Sequence, residues 1–153
     1  MKIYVDADGI PYRDIVLERA KRHGITVVVV TDYSHYIPPE KGVIRVVVEE
    51  GQDSVDFAIV NQVQEGDLVI TQDVGLASLI LPKKAVVISP RGYEFTENSI
   101  SRRLTIRWLN RKIRCAGGKV RGPKPFSRDD RKRFLALLER KLIALMRRTD
   151  ATQ

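Results

Sequence analysis

The sequence predicts an α/β fold: a mainly parallel sheet of about five strands, layered with helices and completed by further helices at its C-terminal end. Two observations predict it. Short β-branched runs alternate with helix-length segments through the first 90 residues, and one of these runs, ITVVVV, contains no charged residue and four consecutive valines, as strands covered on both faces require. After Ser89 the pattern changes to long amphipathic helical spacing in a strongly basic context.

Taken in order, KIYV (2–5) is a short buried strand, followed by a helix from about Pro11 to His23 that Gly24 stops. ITVVVV (25–30) and VIRVVV (43–48) read as interior strands, joined by the loop TDYSHYIPPEKG. A second helix runs from Asp53, a candidate N-cap, to Gln64, and Gly66-Asp67 closes it before the strand LVIT (68–71). A short helix over Gly75–Leu81 and the strand AVVIS (85–89) follow. PRGYEF reads as a turn, and Thr96 can cap a helix from Glu97 to about Arg114. The loop GGKVRGPKP then leads to a last helix from near Ser127, with Phe134, Leu138, Leu142 and Leu145 on one face and Leu135 beside them.

The 153 residues fit a single domain, 43% hydrophobic and 30% charged, as in ordinary globular chains. No apolar run approaches a membrane span and no basic-then-apolar signal opens the chain, so the expected compartment is the cytoplasm. A lone cysteine, Cys115, can form neither an internal disulfide nor a multi-cysteine zinc site, and the two histidines lack ligand spacing. Charge divides the chain. Residues 1–90 carry 9 Lys/Arg against 13 Asp/Glu and residues 91–153 carry 18 against 6, an acidic part at −4 beside a basic part at +12. That asymmetry suggests an acidic centre next to a surface that grips a polyanion, against the plainer reading of solubility alone.

The acidic part holds three clusters at related places. Asp6 and Asp8 end the first strand, Asp73 ends LVITQD, and Asp53 and Asp56 stand in the first turn of the second helix. Ligands of open α/β sheets bind outside the carboxyl ends of strands, above all where strand order reverses. If the first strand neighbours LVIT, Asp6 and Asp73 face one cleft, and the break at Gly9 allows Asp8 to turn back towards it. Oxygen-only donors suit a hard cation, Mg²⁺ or Mn²⁺, which would neutralise the repulsion of crowded carboxylates. The plainer alternatives are that Asp53 and Asp56 cap a helix and Asp8 satisfies turn amides.

The blocks VDADGIPYRDIVLERAKRHG, GQDSVDFAIVNQV, GDLVITQDVGLA, SPRG, FTENSISRRL and GPKPFSRDDRKRFLALLER, in that order, resemble the YaiI/YqxD family of uncharacterised bacterial proteins, grouped with the PIN-like nuclease superfamily. The resemblance spans nearly the whole chain. It implies a three-layer PIN-like fold with strand order 3-2-1-4-5, which sets the first strand beside LVIT. It also implies a site made of Asp6, of Asp56 (or Asp53) on the central helix, and of Thr71 with Asp73 at the end of the fourth strand. Two departures are visible. Gly9 and Ile10 stand where the family commonly has Ala-Cys, and Phe57 occupies the position where the helix often carries a second acid, leaving Asp56 alone there.

In the basic part, Arg103, Arg107, Arg111 and Arg114 fall on one helical stripe, with Ile100, Leu104, Trp108 and Ile113 on or near another. Such a stripe calls for a polyanion, and nucleic acid is the usual one. Lys119, Arg121 and Lys124 extend the surface along the following loop, and Arg91, just after a strand end, is expected to reach the cleft and meet a phosphate. Phe126 reads better as an anchor for the last helix than as a stacking residue. Tyr33, His35 and Tyr36 can stack bases or simply pack.

Together these features lead to the expectation of a Mg²⁺- or Mn²⁺-dependent phosphodiesterase acting on RNA. Asp6, Asp56 and Asp73, with Asp53 nearby, would hold the metal, and Asp8 and Thr71 would orient water or ligand. Two alternatives stand beside it. One is a non-catalytic RNA-binding or ribosome-associated module whose acids bind a structural cation. The other is an aspartate-nucleophile phosphatase, with Asp6 as nucleophile and Asp8 as acid/base, which ranks behind because Ile10 replaces the expected threonine and no cap module is present.

Overall fold

The structure is a computed structural model that describes residues 1–7, 10–51 and 53–152. Six strands form one sheet: β1 (Lys2–Asp6), β2 (Thr26–Asp32), β3 (Val43–Val48), β4 (Leu68–Ile70), β5 (Val86–Ile88) and β6 (Glu94–Phe95). Their spatial order is β3-β2-β1-β4-β5-β6. All neighbouring pairs are parallel except β5 with β6. Among the described residues five α-helices accompany them, with a 3₁₀ turn over Leu81–Lys83: α1 (Arg13–Arg22), α2 (Ser54–Gln62), α3 (Val74–Ile80), α4 (Glu97–Cys115) and α5 (Arg128–Thr152).

Alternation along the strands divides the interior into two cores. Ile3, Val5, Val27, Val29, Leu68 and Ile70 face one side, where α1 supplies Val16 and Ala20 and α5 supplies Phe134, Leu138 and Leu142. Tyr4, Val28, Val30, Val69 and Val87 face the other, against Ile59 of α2, Leu76, Ala77 and Ile80 of α3, and Phe95. Parallel strands with helices on both faces are apolar on both faces, which is why these runs show no polar alternation. The outcome is the expected three-layer sandwich in the expected strand order.

Three details differ from the sequence reading. VIRVVV is an edge strand, with Ile44 and Val47 about half exposed, so its β-branched composition reflects strand preference and not burial. PRGYEF is more than a turn: Gly92, at φ 91°, lets the chain reverse so that Ser89 N–H donates to Tyr93 C=O at 2.8 Å, and Glu94–Phe95 pairs back on β5. Asp53 occupies the N-cap position of α2 in a left-handed conformation, φ 65°, and its side chain makes no cap hydrogen bond. The acids that cap are elsewhere. Asp73 Oδ1 accepts from Leu76 N–H at 3.1 Å at the start of α3, and Asp130 Oδ2 accepts from Ser127 N–H at 3.1 Å at the start of α5.

α5 is bound to the body by charge as well as by apolar packing. Glu139 meets Arg19 at 3.0 Å and His23 at 3.3 Å on α1, while Lys141 pairs with Glu94 at 2.5 Å. Asp130 is nearly buried between Arg91 at 3.2 Å and Arg133 at 2.5 Å. The Ser127 amide, then the two arginines, hold its carboxyl below the usual carboxylate range. Phe134, fully buried, stacks on Tyr12 with ring centres 5.7 Å apart. Phe134→Ala should therefore cost about 3–5 kcal/mol, seen as a lower urea midpoint at unchanged m-value. A shift of less than about 1 kcal/mol would show that α5 is not part of the cooperative core.

Candidate active site and basic helix

The register of β1 against β4 builds the site. Ile3, Tyr4 and Val5 stand opposite Leu68, Val69 and Ile70, so the next residues, Asp6 and Thr71, emerge side by side at the carboxyl ends of two central strands. β1 is also flanked by β2, which makes this the point where the order of the sheet reverses. Thr71 is 1% exposed, and its hydroxyl donates to Asp6 Oδ2 at 3.4 Å while accepting from the Asp73 amide at 3.0 Å. A short polar relay thus fixes two carboxylates on one rim.

Asp56, in the first turn of α2, completes the set from the second helical layer. Its pKa is pushed up to about 6, first by partial burial and then by the negative charges of Asp73, Asp6 and Asp53; a side-chain hydrogen bond with Asp73 contributes as well. Four acids named from the sequence, Asp6, Asp53, Asp56 and Asp73, therefore influence one another across this cleft, while Asp8 lies outside the described residues. Among the described residues no three His, Cys, Asp or Glu side chains are grouped as closely as a metal ion requires.

The basic residues do not share one surface. Arg107, on α4, brings Nη1 to 3.7 Å from Asp73 Oδ1. It can do so because residue 75 is a glycine: a Cβ there would collide with the Arg107 guanidinium and lie 3.1 Å from Asp73 Oδ1. Gly75 is the functional candidate that sequence reasoning missed, and its signal was a glycine in the first turn of a helix, where it weakens the helix unless space is needed. Arg103, Arg107 and Arg114 line one cleft of about 280 Å³ with Asn110, Val74 and Ile106. Arg103 is the most enclosed of them, its guanidinium 3.7 Å above the Tyr93 ring. Arg111 faces a different groove, beside Trp108.

Arg91 does not act as expected. Its guanidinium donates to Asp130 at 3.2 Å and to the carbonyls of Pro125, at 3.4 Å, and Lys124, and it lies 4.1 Å over the Phe126 ring. Its position after a strand end is spent on pinning the GPKPF loop to the body. Phe126 also meets Tyr12 edge-on at 5.7 Å, the anchoring role expected for it. Lys119, Arg121 and Lys124 are exposed on that loop. Tyr33 and Tyr36 are exposed too, at the carboxyl end of β2, and His35 contacts Asp32 at 3.5 Å and Ser34 at 2.9 Å.

An α/β sheet with an acidic cleft at its reversal point and a basic helix alongside defines the class of this protein. The chain belongs to the uncharacterized BCR, YaiI/YqxD family, whose model matches residues 4–144. A UPF0178 protein of Bacillus anthracis is 42% identical over 147 residues, covering 95% of this chain and all of the relative. One of Bacillus cereus is 43% identical over 141 residues, covering 91% and 97%. Among solved structures, Rae1 (YacP) from Bacillus subtilis matches with a TM-score of 0.43 and 19% identity over 92% of this chain and 99% of that one, a similarity too loose to inform function. Among the described residues no helix is long and apolar enough to cross a membrane.

The raised pKa of Asp56 fixes a pH dependence. Because its folded pKa lies above its unfolded value of 3.8, this group favours the folded state below about pH 4, and that contribution is lost as pH rises through about 6. Discounted for partial exposure, the effect is about 1–2 kcal/mol. Asp56→Asn should be more stable than the parent at pH 7.5 by that amount and equal to it near pH 4, in thermal melts without divalent metal. A parent no less stable at pH 7.5 than Asp56→Asn would contradict the crowding of carboxylates.

Proposed function

We propose that the protein is a divalent-metal-dependent nuclease acting on RNA. The observation that carries this reading is the convergence of Asp6, Asp56 and Asp73 at the sheet's reversal point, where burial and the neighbouring negative charges push the Asp56 carboxyl up to about 6. Carboxylate oxygens are the donors a hard cation selects, so the donor type suits Mg²⁺ or Mn²⁺, and the three carboxylates, too far apart in this structure to share one ion, would have to draw together to bind it. Asp6, Asp56 and Asp73 would hold it, with Asp53 adding negative charge nearby. When bound, such a cation supplies concentrated positive charge beside the phosphate and acidifies water.

The chain's own residues do the rest. Thr71 keeps Asp6 and the Asp73 backbone in fixed relation through its single buried hydroxyl. Arg107, seated over the Gly75 notch, is placed to exchange Asp73 for a substrate phosphate, a contact that strengthens as charge grows on the phosphoryl oxygens. The other arginines of α4 supply phosphate contacts that give affinity without reading sequence. Asp6, Thr71 and Asp73 come from strand ends and the turn after them, so a rigid sheet holds the chemistry while a helix holds the substrate.

A second reading, RNA binding without turnover, is favoured by Asp73, which already serves as a helix cap and ion-pair partner. One assay separates the two. Purified protein should cleave single-stranded RNA with Mn²⁺ or Mg²⁺ and not with EDTA, and Asp6→Asn or Asp73→Asn should each lower the rate by more than about 100-fold, beyond what groups that merely support metal ligands contribute. Salt-sensitive RNA binding that survives both substitutions, with no turnover under either metal, would overturn the nuclease reading. Mn²⁺ should also raise the melting temperature more at pH 7.5 than at pH 5, because protons compete for the same carboxylates.

A further inference from the structure

α4 differs from the other four helices: none of its 19 residues is buried, whereas each of the others buries at least one. Ile100 packs into the second core and Arg103 stacks on Tyr93, but further along Ile106, Trp108, Leu109 and Ile113 are about half exposed. On one side of the helix Trp108, Arg111, Lys112 and Cys115 line a shallow groove of about 310 Å³, with Lys112 Nζ 5.1 Å from the indole. From Asn98 to Arg128 the sequence holds ten Lys or Arg and no Asp or Glu, so no acid in this stretch offsets their charge. Leaving a tryptophan in such a setting costs stability that a partner would recover.

The charge selects the partner. A second copy laid face to face on α4 would set its six cations against six of the same sign, which is strongly disfavoured. A flat π surface beside two cations is instead the arrangement that single-stranded nucleic acid requires, with a base on the ring and phosphates on either side. Arg107, the residue before Trp108, lies 3.7 Å from Asp73, so the helix that carries the indole is also the one that reaches the acidic cleft.

We propose that Trp108, with Arg111 and Lys112, forms a stacking platform for an unpaired RNA base, making the protein a binder of single-stranded and not duplex RNA. The proposal rests on the reading of the protein as one that acts on RNA, but it concerns binding and not cleavage. Trp108 is the only tryptophan, so its emission reports the platform directly. The full-length protein is titrated, without divalent metal, with a single-stranded oligoribonucleotide and with the same sequence as a duplex, following tryptophan emission; anisotropy of the labelled strand gives affinity.

Saturable quenching by the single strand is expected, with far less by the duplex. Trp108→Ala should weaken single-strand binding about 5- to 100-fold and Trp108→Phe should restore most of it, with thermal melts of both variants matching the parent. Unchanged emission on bound strand, unchanged affinity of Trp108→Ala, or equal quenching by duplex would overturn the platform. A blue shift that grows with protein concentration alone would also overturn it, by assigning the face to a second copy. Quenching without cleavage in the metal assay would sink the nuclease reading and leave this one standing; cleavage with unquenched Trp108 would do the reverse.

Discussion

The parallel register of β1 on β4 is the constraint on which the rest depends. The main chain pairs Val5 with Ile70, and from that pairing alone Asp6 and Thr71 must leave the sheet together. A slip of one residue would turn Ile3 and Val5 from one core to the other and move Asp6 to the opposite face. Packing energy distributed over both cores thus holds a carboxylate where charge repulsion alone would not leave it. The site is unfavourable locally and stable globally.

That conflict organises the surrounding chemistry. Asp73 is tied down three ways, by the Thr71 hydroxyl on its amide, by the Leu76 amide on its carboxylate and by Arg107 from α4. Asp56 has fewer fixed partners and carries the burden as a raised pKa. Burial and crowded negative charge thus fall on one carboxyl of the cluster, whose pKa they raise to about 6. Basic residues respond to the same field: Arg107 reaches the cluster, and the other arginines of α4 remain outside it.

Much of this was legible in the sequence. The alternation of β-branched runs with helical segments predicts the layers, because parallel strands buried on both faces have a composition of their own. Asp6 and Asp73 follow as neighbours from one rule, that ligands of α/β sheets bind outside the carboxyl ends of strands, whereas Asp56 follows from the family resemblance. Where reading failed, distant contacts decided. Arg91 looked like a phosphate ligand, yet Asp130, which it grips, lies 39 residues away. Trp108 and Ile113 lie on or near the apolar stripe of α4, and only the structure shows that both are left about half exposed. Gly75 has meaning only when Arg107, 32 positions later, is seen above it.

The sequence by itself determined the elements except β6, their order along the chain, and the charge division between an acidic and a basic part, because periodicity, turn chemistry and charge are local properties that any fold must respect. Only the tertiary structure decided which strand lies at the edge, which aspartates cap helices, which arginine meets the acids and which aromatic is left uncovered. Those outcomes depend on register and on contacts between residues far apart in the chain, and no local pattern encodes the distance between them.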